Sequence, residues 1–230
     1  MRSASPSPET VRTSRRNDPT WEIAHLFPSQ GGWCEEDYLA LETNHLVEFS
    51  DGILEVLPMP TTSHQLLVTF LYCRLMAFVT RFDLGVVLVS ALRVRLRSGK
   101  FREPDVLFVS HQHADRMGED YWTGADLVME VVSGESEDRR RDLITKRREY
   151  AQAGIPEYWI VDPRDEQITV LRLSGRKYLV HGRFGKGQTA TSHLLPGFEM
   201  DVDEVFAARQ VRKGRGSNGK SKRGSAAHRD

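Results

Sequence analysis

The sequence has few of the features that mark secreted or membrane proteins. Its 230 residues include only two cysteines, Cys34 and Cys73, which form neither a metal-ligand pair nor a disulfide framework. No run approaches the ~18 consecutive apolar residues of a membrane helix. The Ser/Pro/Arg-rich N-terminus lacks the apolar stretch of a secretory signal. We therefore expect a cytoplasmic protein with no membrane partner.

Several motifs of common enzyme classes are also missing. The sequence contains no Gly-rich phosphate loop, no Gly-x-Ser-x-Gly motif and no Cys/His zinc pattern. Its hydrophobic share of 39% and charged share of 28% are ordinary for a globular domain. That composition excludes collagen-like, coiled-coil and wholly disordered proteins.

The formal net charge of zero hides an uneven distribution. Residues 209–230 carry eight basic residues and one acid, whereas residues 19–208 carry a net charge of −9. Both ends are rich in Gly, Ser and Pro and poor in apolar residues, so they cannot offset the entropy of ordering. We predict a disordered tail over residues 1–18, one domain over 19–208 and a basic disordered tail over 209–230.

Hydrophobic spacing within the domain predicts an α/β fold with a mixed sheet. Apolar residues at helical spacing predict a long helix from about Ser63, its expected cap, to Phe82. A buried strand at 127–132, a helix ending at Gly154 and a buried strand at 158–161 form a strand–helix–strand unit, which normally gives parallel strands. Antiparallel hairpins are expected at 46–57 and 168–180, and a half-exposed strand at 92–97.

Two carboxylates stand in or beside the strands predicted to be buried. Asp105 follows Pro104 just before the strand at 106–109, and Glu130 lies among five apolar residues. A buried ionised carboxylate is costly unless it is paired, hydrogen-bonded or bound to a metal. Two carboxylates together with a backbone carbonyl oxygen form a ligand set of the kind that binds Mg²⁺. The alternative is a structural ion pair of Glu130 with Arg93, Arg95 or Arg147.

The charged helix after this strand carries Lys146 and Arg147. At about 100° per residue, Lys146 borders the face packed on the sheet and Arg147 points more directly inward. A long side chain at position 146 can then reach the end of the sheet. The alternative for Lys146 is a solvent-exposed position on the helix. The guanidinium of Arg147 must either extend to solvent or pair with a carboxylate.

An ordered set of short segments resembles the Uma2 family of restriction-endonuclease-like proteins, a bacterial branch of the PD-(D/E)xK nuclease superfamily. The resemblance covers about residues 33–205, and its most specific part is the run 154–163. The segments are Glu48-Phe49-Ser50-Asp51-Gly52, Ser63-His64, Pro104-Asp105, Glu130-Val131-Val132-Ser133, Lys146-x-x-x-Tyr150 and Gly154-Ile155-Pro156-Glu157-Tyr158-Trp159-Ile160-Val161-Asp162-Pro163.

The resemblance implies a restriction-endonuclease-like mixed sheet flanked by helices, and a set of site residues. Asp105 and Glu130 would bind Mg²⁺ or Mn²⁺, helped by the backbone carbonyl of Val131. The superfamily lysine would fall at Val132, which cannot serve, and Lys146 matches the position that this family uses instead. Lys146 would orient or deprotonate the attacking water, or stabilise the phosphate.

Two further matches and two departures complete the resemblance. Glu48 would be an additional metal ligand or an edge-strand carboxylate, and His64 would contact a phosphate or water or be a polar residue near a helix cap. The departures are Ser133-Gly134-Glu135-Ser136 in place of Ser-Pro-Ser-Thr, and Arg147 where an apolar residue is usual. Neither departure removes an expected ligand.

The leading functional hypothesis is a Mg²⁺-dependent endonuclease acting on DNA. A non-catalytic nucleic-acid- or protein-binding module on the same scaffold is the first alternative, favoured by the acidic domain and by Val132. An assembly protein with purely structural carboxylates is the second alternative. The exposed hairpins and the resemblance make a homodimer plausible.

Overall fold

The structure, a computed structural model, describes residues 28–43, 45–133 and 139–210. The segment containing Ser136, residues 1–18 and nearly all of the predicted C-terminal tail lie outside these ranges. Arg209, the first residue of that tail, donates a hydrogen bond to the Pro163 carbonyl. The described domain therefore continues slightly past the predicted boundary.

Twelve strands and four α-helices make up the described chain, with a 3-10 turn at His111–Arg116 and a π-helical segment at Arg141–Lys146 directly before the third helix. The strands are β1 (Val47–Ser50), β2 (Ile53–Val56), β3 (Gly85–Val89), β4 (Val94–Arg97), β5 (Lys100–Arg102), β6 (Val106–Ser110), β7 (Leu127–Val131), β8 (Glu157–Asp162), β9 (Gln167–Ser174), β10 (Lys177–Phe184), β11 (Thr189–Thr191) and β12 (Glu199–Asp201). The helices are α1 (Glu35–Leu39), α2 (Thr62–Phe82), α3 (Arg147–Ala153) and α4 (Val202–Ala207).

A six-stranded mixed sheet forms the centre, in the order β10-β9-β8-β7-β6-β3. The pair β7–β8 is parallel, with Val128 opposite Tyr158, and the other neighbours are antiparallel. The predicted strand–helix–strand unit and the mixed sheet are therefore confirmed. The parallel pair arises because the crossover through α3 returns the chain in the same direction.

Side chains alternate across the sheet and separate two apolar cores. Met129 and Trp159 face α2, whereas Val128 and Tyr158 face α3. Because successive residues of a strand point to opposite faces, Glu130 shares the side of Val128 and Val132. The carboxylate of Glu130 is therefore directed toward the helix that carries Lys146.

The N-cap of helix α2 lies two residues before the one that the sequence predicts. Thr61, not Ser63, is the N-cap: its backbone is extended, and its hydroxyl accepts a hydrogen bond from the His64 amide at 3.2 Å. By length and apolar composition α2 alone, among the described helices, would suffice to span a membrane. Its apolar stripe instead packs on the sheet, burying Leu67, Val68, Leu71, Leu75 and Val79.

A second sheet, in the order β2-β1-β5-β4, holds the predicted N-terminal hairpin. The strand predicted at 92–97 begins only at Val94, and the short β5 strand was not expected. Strand β1 is an inner strand of this sheet, and this position matters for the site because it places Glu48 beside Arg102 and α3. The C-terminal hairpin is confirmed and is longer than predicted, at 167–184.

Candidate functional site

A cavity of about 450 Å³ opens between the start of α2, the end of β7 and the π-helical segment. Four of the five side chains singled out in the sequence line it: His64, Asp105, Glu130 and Lys146. The fifth, Glu48, is fully buried directly behind Lys146. The fold thus brings together residues from both sheets and from two helices.

Lys146 is the centre of the cluster and is almost completely buried, at 3% exposure. Its ammonium lies 2.9 Å from Glu130 Oε1, 3.4 Å from Asp142 Oδ1 and 3.5 Å from Glu48 Oε1. The solvated-helix alternative for this lysine is therefore wrong. The helical projection missed its depth because the i to i+5 turns of the π-helical segment change the angle between successive side chains.

Glu130 has two partners, neither of them among the arginines considered in the sequence. Its Oε1 accepts a hydrogen bond from Lys146 and another from the Tyr150 hydroxyl at 2.6 Å. An ion pair with Arg93, Arg95 or Arg147 is excluded, because these three side chains bind the Leu39 and Leu41 carbonyls, Glu35 and the Tyr178 carbonyl, respectively.

Asp105 is held from two sides at the mouth of β6. Its Oδ2 accepts a hydrogen bond from the Val131 amide at 2.8 Å and lies 3.3 Å from His64 Nε2. Burial lowers the pKa of His64, but the hydrogen bond and the charge of Asp105 outweigh burial and raise that pKa above its ordinary value. His64 is therefore a partner of the predicted ligand as well as a residue of the first turn of α2.

The electrostatics of the cavity are dominated by an excess of carboxylates. Burial raises the pKa of Glu130 to about 8, with Lys146 opposing the rise and the charges of Asp105 and Asp142 adding to it. Burial would lower the pKa of Lys146, but Glu130, Glu48 and Asp142 raise it well above its usual value. The ammonium is thus held charged among acids that repel one another.

The donor set at this cavity fits an oxygen-preferring divalent cation. Glu103 and Asp142 line the cavity, and one buried oxygen of each accepts no hydrogen bond, although Asp142 Oδ1 lies 3.4 Å from the Lys146 ammonium. Burial and the charge of Glu48 raise the pKa of Glu103 to about 7. A bound cation would give these oxygens a partner and would oppose the rise in the pKa of Glu103. Mg²⁺ binds such sites through one or two carboxylates.

Within residues 28–43, 45–133 and 139–210 the structure contains no group of three or more His, Cys, Asp or Glu side chains placed to hold a metal ion together. The expected ligand set has only two side chains, Asp105 and Glu130, with the Val131 carbonyl. The binding of a metal ion by this ligand set therefore stays a prediction.

Sequence reasoning missed several residues of the cluster. Asp142 lies one helical turn before Lys146, and Tyr150 one turn after it, so a spacing of four along one face was the available signal. Arg102 contacts Glu48 at 3.2 Å and Glu149 at 2.8 Å, which links β1 to α3. Tyr150, which the resemblance includes only as the end of the Lys146-x-x-x-Tyr150 segment, is fully buried and donates a hydrogen bond to Glu130.

The fold is that of a nuclease-like protein. A crystal structure described as a putative nuclease belonging to DUF820, from Anabaena variabilis, matches with a TM-score of 0.63 and 14% sequence identity, covering 76% of this chain and 98% of the other. The chain itself belongs to the Uma2 family: the family model, described as a putative restriction endonuclease, matches residues 35–203. The predicted family and fold class are thereby confirmed. The comparison with curated proteins gives no match.

Proposed function

We propose that the protein is a metal-dependent endonuclease that hydrolyses DNA phosphodiester bonds. The observation that carries the proposal is the meeting of Asp105, Glu130 and Lys146 at one solvent-open cavity. Asp105 directly precedes β6 and Glu130 lies on the adjacent β7, so the two carboxylates come from neighbouring strands. The family description supports the same reaction class.

Asp105, Glu130 and the Val131 carbonyl are the proposed holders of Mg²⁺ or Mn²⁺. When bound, the cation supplies an activated water and stabilises charge on the phosphate. The chain prepares this position in two ways. The Val131 amide and His64 fix the Asp105 carboxylate, and Tyr150 fixes Glu130.

Lys146 is proposed to act on the phosphate as a cation. Its pKa lies well above the ordinary value because three carboxylates surround it, so it holds its proton at neutral pH. This favours charge stabilisation over deprotonation of water as its role. Its neighbours Asp142 and Glu48 would keep the ammonium in place when Glu130 changes partner.

Plasmid nicking in Mg²⁺ or Mn²⁺, against an EDTA blank, tests the proposal. We expect Asp105→Asn and Glu130→Gln each to lower the cleavage rate at least about a hundredfold, since even outer-shell partners of a metal cost about 10- to 100-fold. Asp120→Asn and Glu199→Gln are matched controls, because both carboxylates are exposed and neither lines the cavity. Equal rates in all four variants would contradict the proposal, once thermal unfolding shows that each variant is folded.

A non-catalytic binding module is the second candidate, and one observation favours it. Glu130 already accepts hydrogen bonds from Lys146 and Tyr150, which could serve as a complete structural arrangement. This candidate predicts DNA or protein binding that is independent of divalent cations and no nicking by the wild type. The assay above separates the two functions directly.

A further inference from the structure

The cavity that holds the candidate catalytic residues has two walls of different chemistry. One wall is apolar and comes from the segments around β1, β2 and α2. It consists of Leu46, Leu57, Pro58, Met59, Pro60 and Leu67. A second part of the lining, here called the arginine wall, comes from the π-helical segment and the residue two before it, from the β8–β9 turn and from the residues just after α4. It consists of Arg139, Arg141, Arg164 and Arg209.

The apolar wall is exposed at its rim. Met59 is 71% exposed, between two prolines that hold the β2–α2 connection away from helix or strand pairing. An exposed apolar surface at the mouth of a polar cavity favours an apolar or aromatic group of the ligand. The phosphates and sugars of a nucleic acid cannot provide that group, whereas the face of a base can.

The arginine wall provides one cation that the protein itself does not use. Arg139 binds Asp162 and Asp165, and Arg209 binds Glu166. Arg164 is exposed, and its guanidinium makes no hydrogen bond or ion pair within the described ranges. A phosphate adjoining the reacting one would find its charge partner here.

Base stacking determines which form of DNA can contact the apolar wall and the arginine wall at the same time. In an intact duplex the base faces are covered by their neighbours, so the apolar wall would lie against sugar and phosphate. In a single strand or an unpaired end, a base can turn onto the wall while the backbone follows the arginines. A volume of about 450 Å³ lies within the usual range for small-ligand sites.

We infer that the substrate of this site is single-stranded or unpaired DNA, with a base on the wall around Met59 and a backbone phosphate on Arg164. The inference rests on the proposed nuclease function and narrows its substrate. It assigns Met59 and Arg164 to substrate binding, a role that neither the motifs nor the sequence pattern gave them.

Fluorescence anisotropy with a labelled oligothymidylate and a labelled duplex of the same length tests the inference. Binding is measured in EDTA so that cleavage does not interfere, and cleavage of both DNAs is then measured in Mg²⁺. Met59→Ser should weaken single-strand binding by about fivefold or more, from the loss of apolar contact. Its control is Ile53→Ser, which changes another exposed apolar residue outside the cavity.

Arg164→Ala should weaken binding of all sequences and reduce its salt dependence by about one phosphate contact. Its control is Arg176→Ala, which removes another exposed arginine away from this cavity. Thermal unfolding establishes that all four variants are folded.

Preference for the single strand that is lost in Met59→Ser and kept in both controls, together with weaker and less salt-dependent binding in Arg164→Ala than in Arg176→Ala, supports the inference. Equal binding of duplex and single strand, or equal effects of Met59→Ser and Ile53→Ser, overturns it while leaving metal-dependent nicking intact. Single-strand binding without metal-dependent cleavage supports the assigned occupant and contradicts the nuclease activity. Absence of any DNA binding or cleavage overturns both.

Discussion

Glu130 and Glu157 lie on the adjacent strands β7 and β8, and both are buried, yet their surroundings differ. Glu157 accepts hydrogen bonds from the Trp159 indole, the Ser192 hydroxyl and the amides of His193 and Leu194, at 2.6–2.7 Å. Glu130 has two donors and faces the cavity. The first carboxylate therefore anchors a loop, whereas the second is the one that we propose as a metal ligand.

Glu157→Gln should lower the free energy of unfolding by about 3 kcal/mol, because the variant turns an amide donor toward groups that themselves donate. Urea unfolding measures the change, with the exposed Glu199→Gln as the matched control. A loss equal to that of the control would show that Glu157 is not the anchor of residues 192–194.

The sequence located the carboxylates that line the cavity better than it identified their partners. Asp105 and Glu130 stood out because acids are rare in buried strands. The partners of Glu130 could not be chosen from several nearby cations, since the choice depends on where α3 lies over the sheet. Glu157 gave no separate signal, because an acid at the end of a strand is ordinary.

Helices α2 and α3 show how element boundaries affect the site. The cap at Thr61 fixes the first turn of α2 and thus the position of His64 against Asp105. The π-helical segment Arg141–Lys146 turns Lys146 and Asp142 into the cluster. Periodicity predicted that both helices exist, but it could not distinguish Thr61 from Ser63 or an α-helical turn from a π-helical one.

Thr61→Ala should lower the free energy of unfolding by about 1 kcal/mol, since it removes the side-chain acceptor of the His64 amide. Ser63→Ala is the control, because Ser63 lies inside the helix, where alanine is favourable. Chemical unfolding distinguishes the two positions. A larger decrease in the free energy of unfolding for Ser63→Ala would show that Ser63 is the N-cap, as the sequence pattern suggested.

At the scale of the whole molecule, two sheets and two helices converge on one cavity. The parallel pair β7–β8 was predictable from the crossover rule, but the order of six strands and the position of the second sheet were not. Glu48 lies beside Lys146 on β1, which pairs with β5, and Arg102 of β5 forms an ion pair with Glu48. Such pairings join segments far apart in the chain, and local patterns carry little information about them.

The net charge of the domain also gives little guidance to the site. Residues 19–208 are acidic overall, yet the cavity is lined by His64, Lys146 and four arginines as well as by four carboxylates. This local balance is consistent with a nucleic-acid ligand that approaches one small region. The central claim therefore depends on a cation at the carboxylates and not on the overall charge.

Calorimetric titration of Mg²⁺ and Mn²⁺ tests that claim most directly. The account predicts binding to the wild type and to Glu199→Gln, and affinity at least about tenfold weaker in Glu130→Gln, whose neutral amide is a poorer ligand. Binding of neither ion to the wild type, or equal affinity in a folded Glu130→Gln variant, would contradict the assignment of Glu130 as a metal-binding carboxylate.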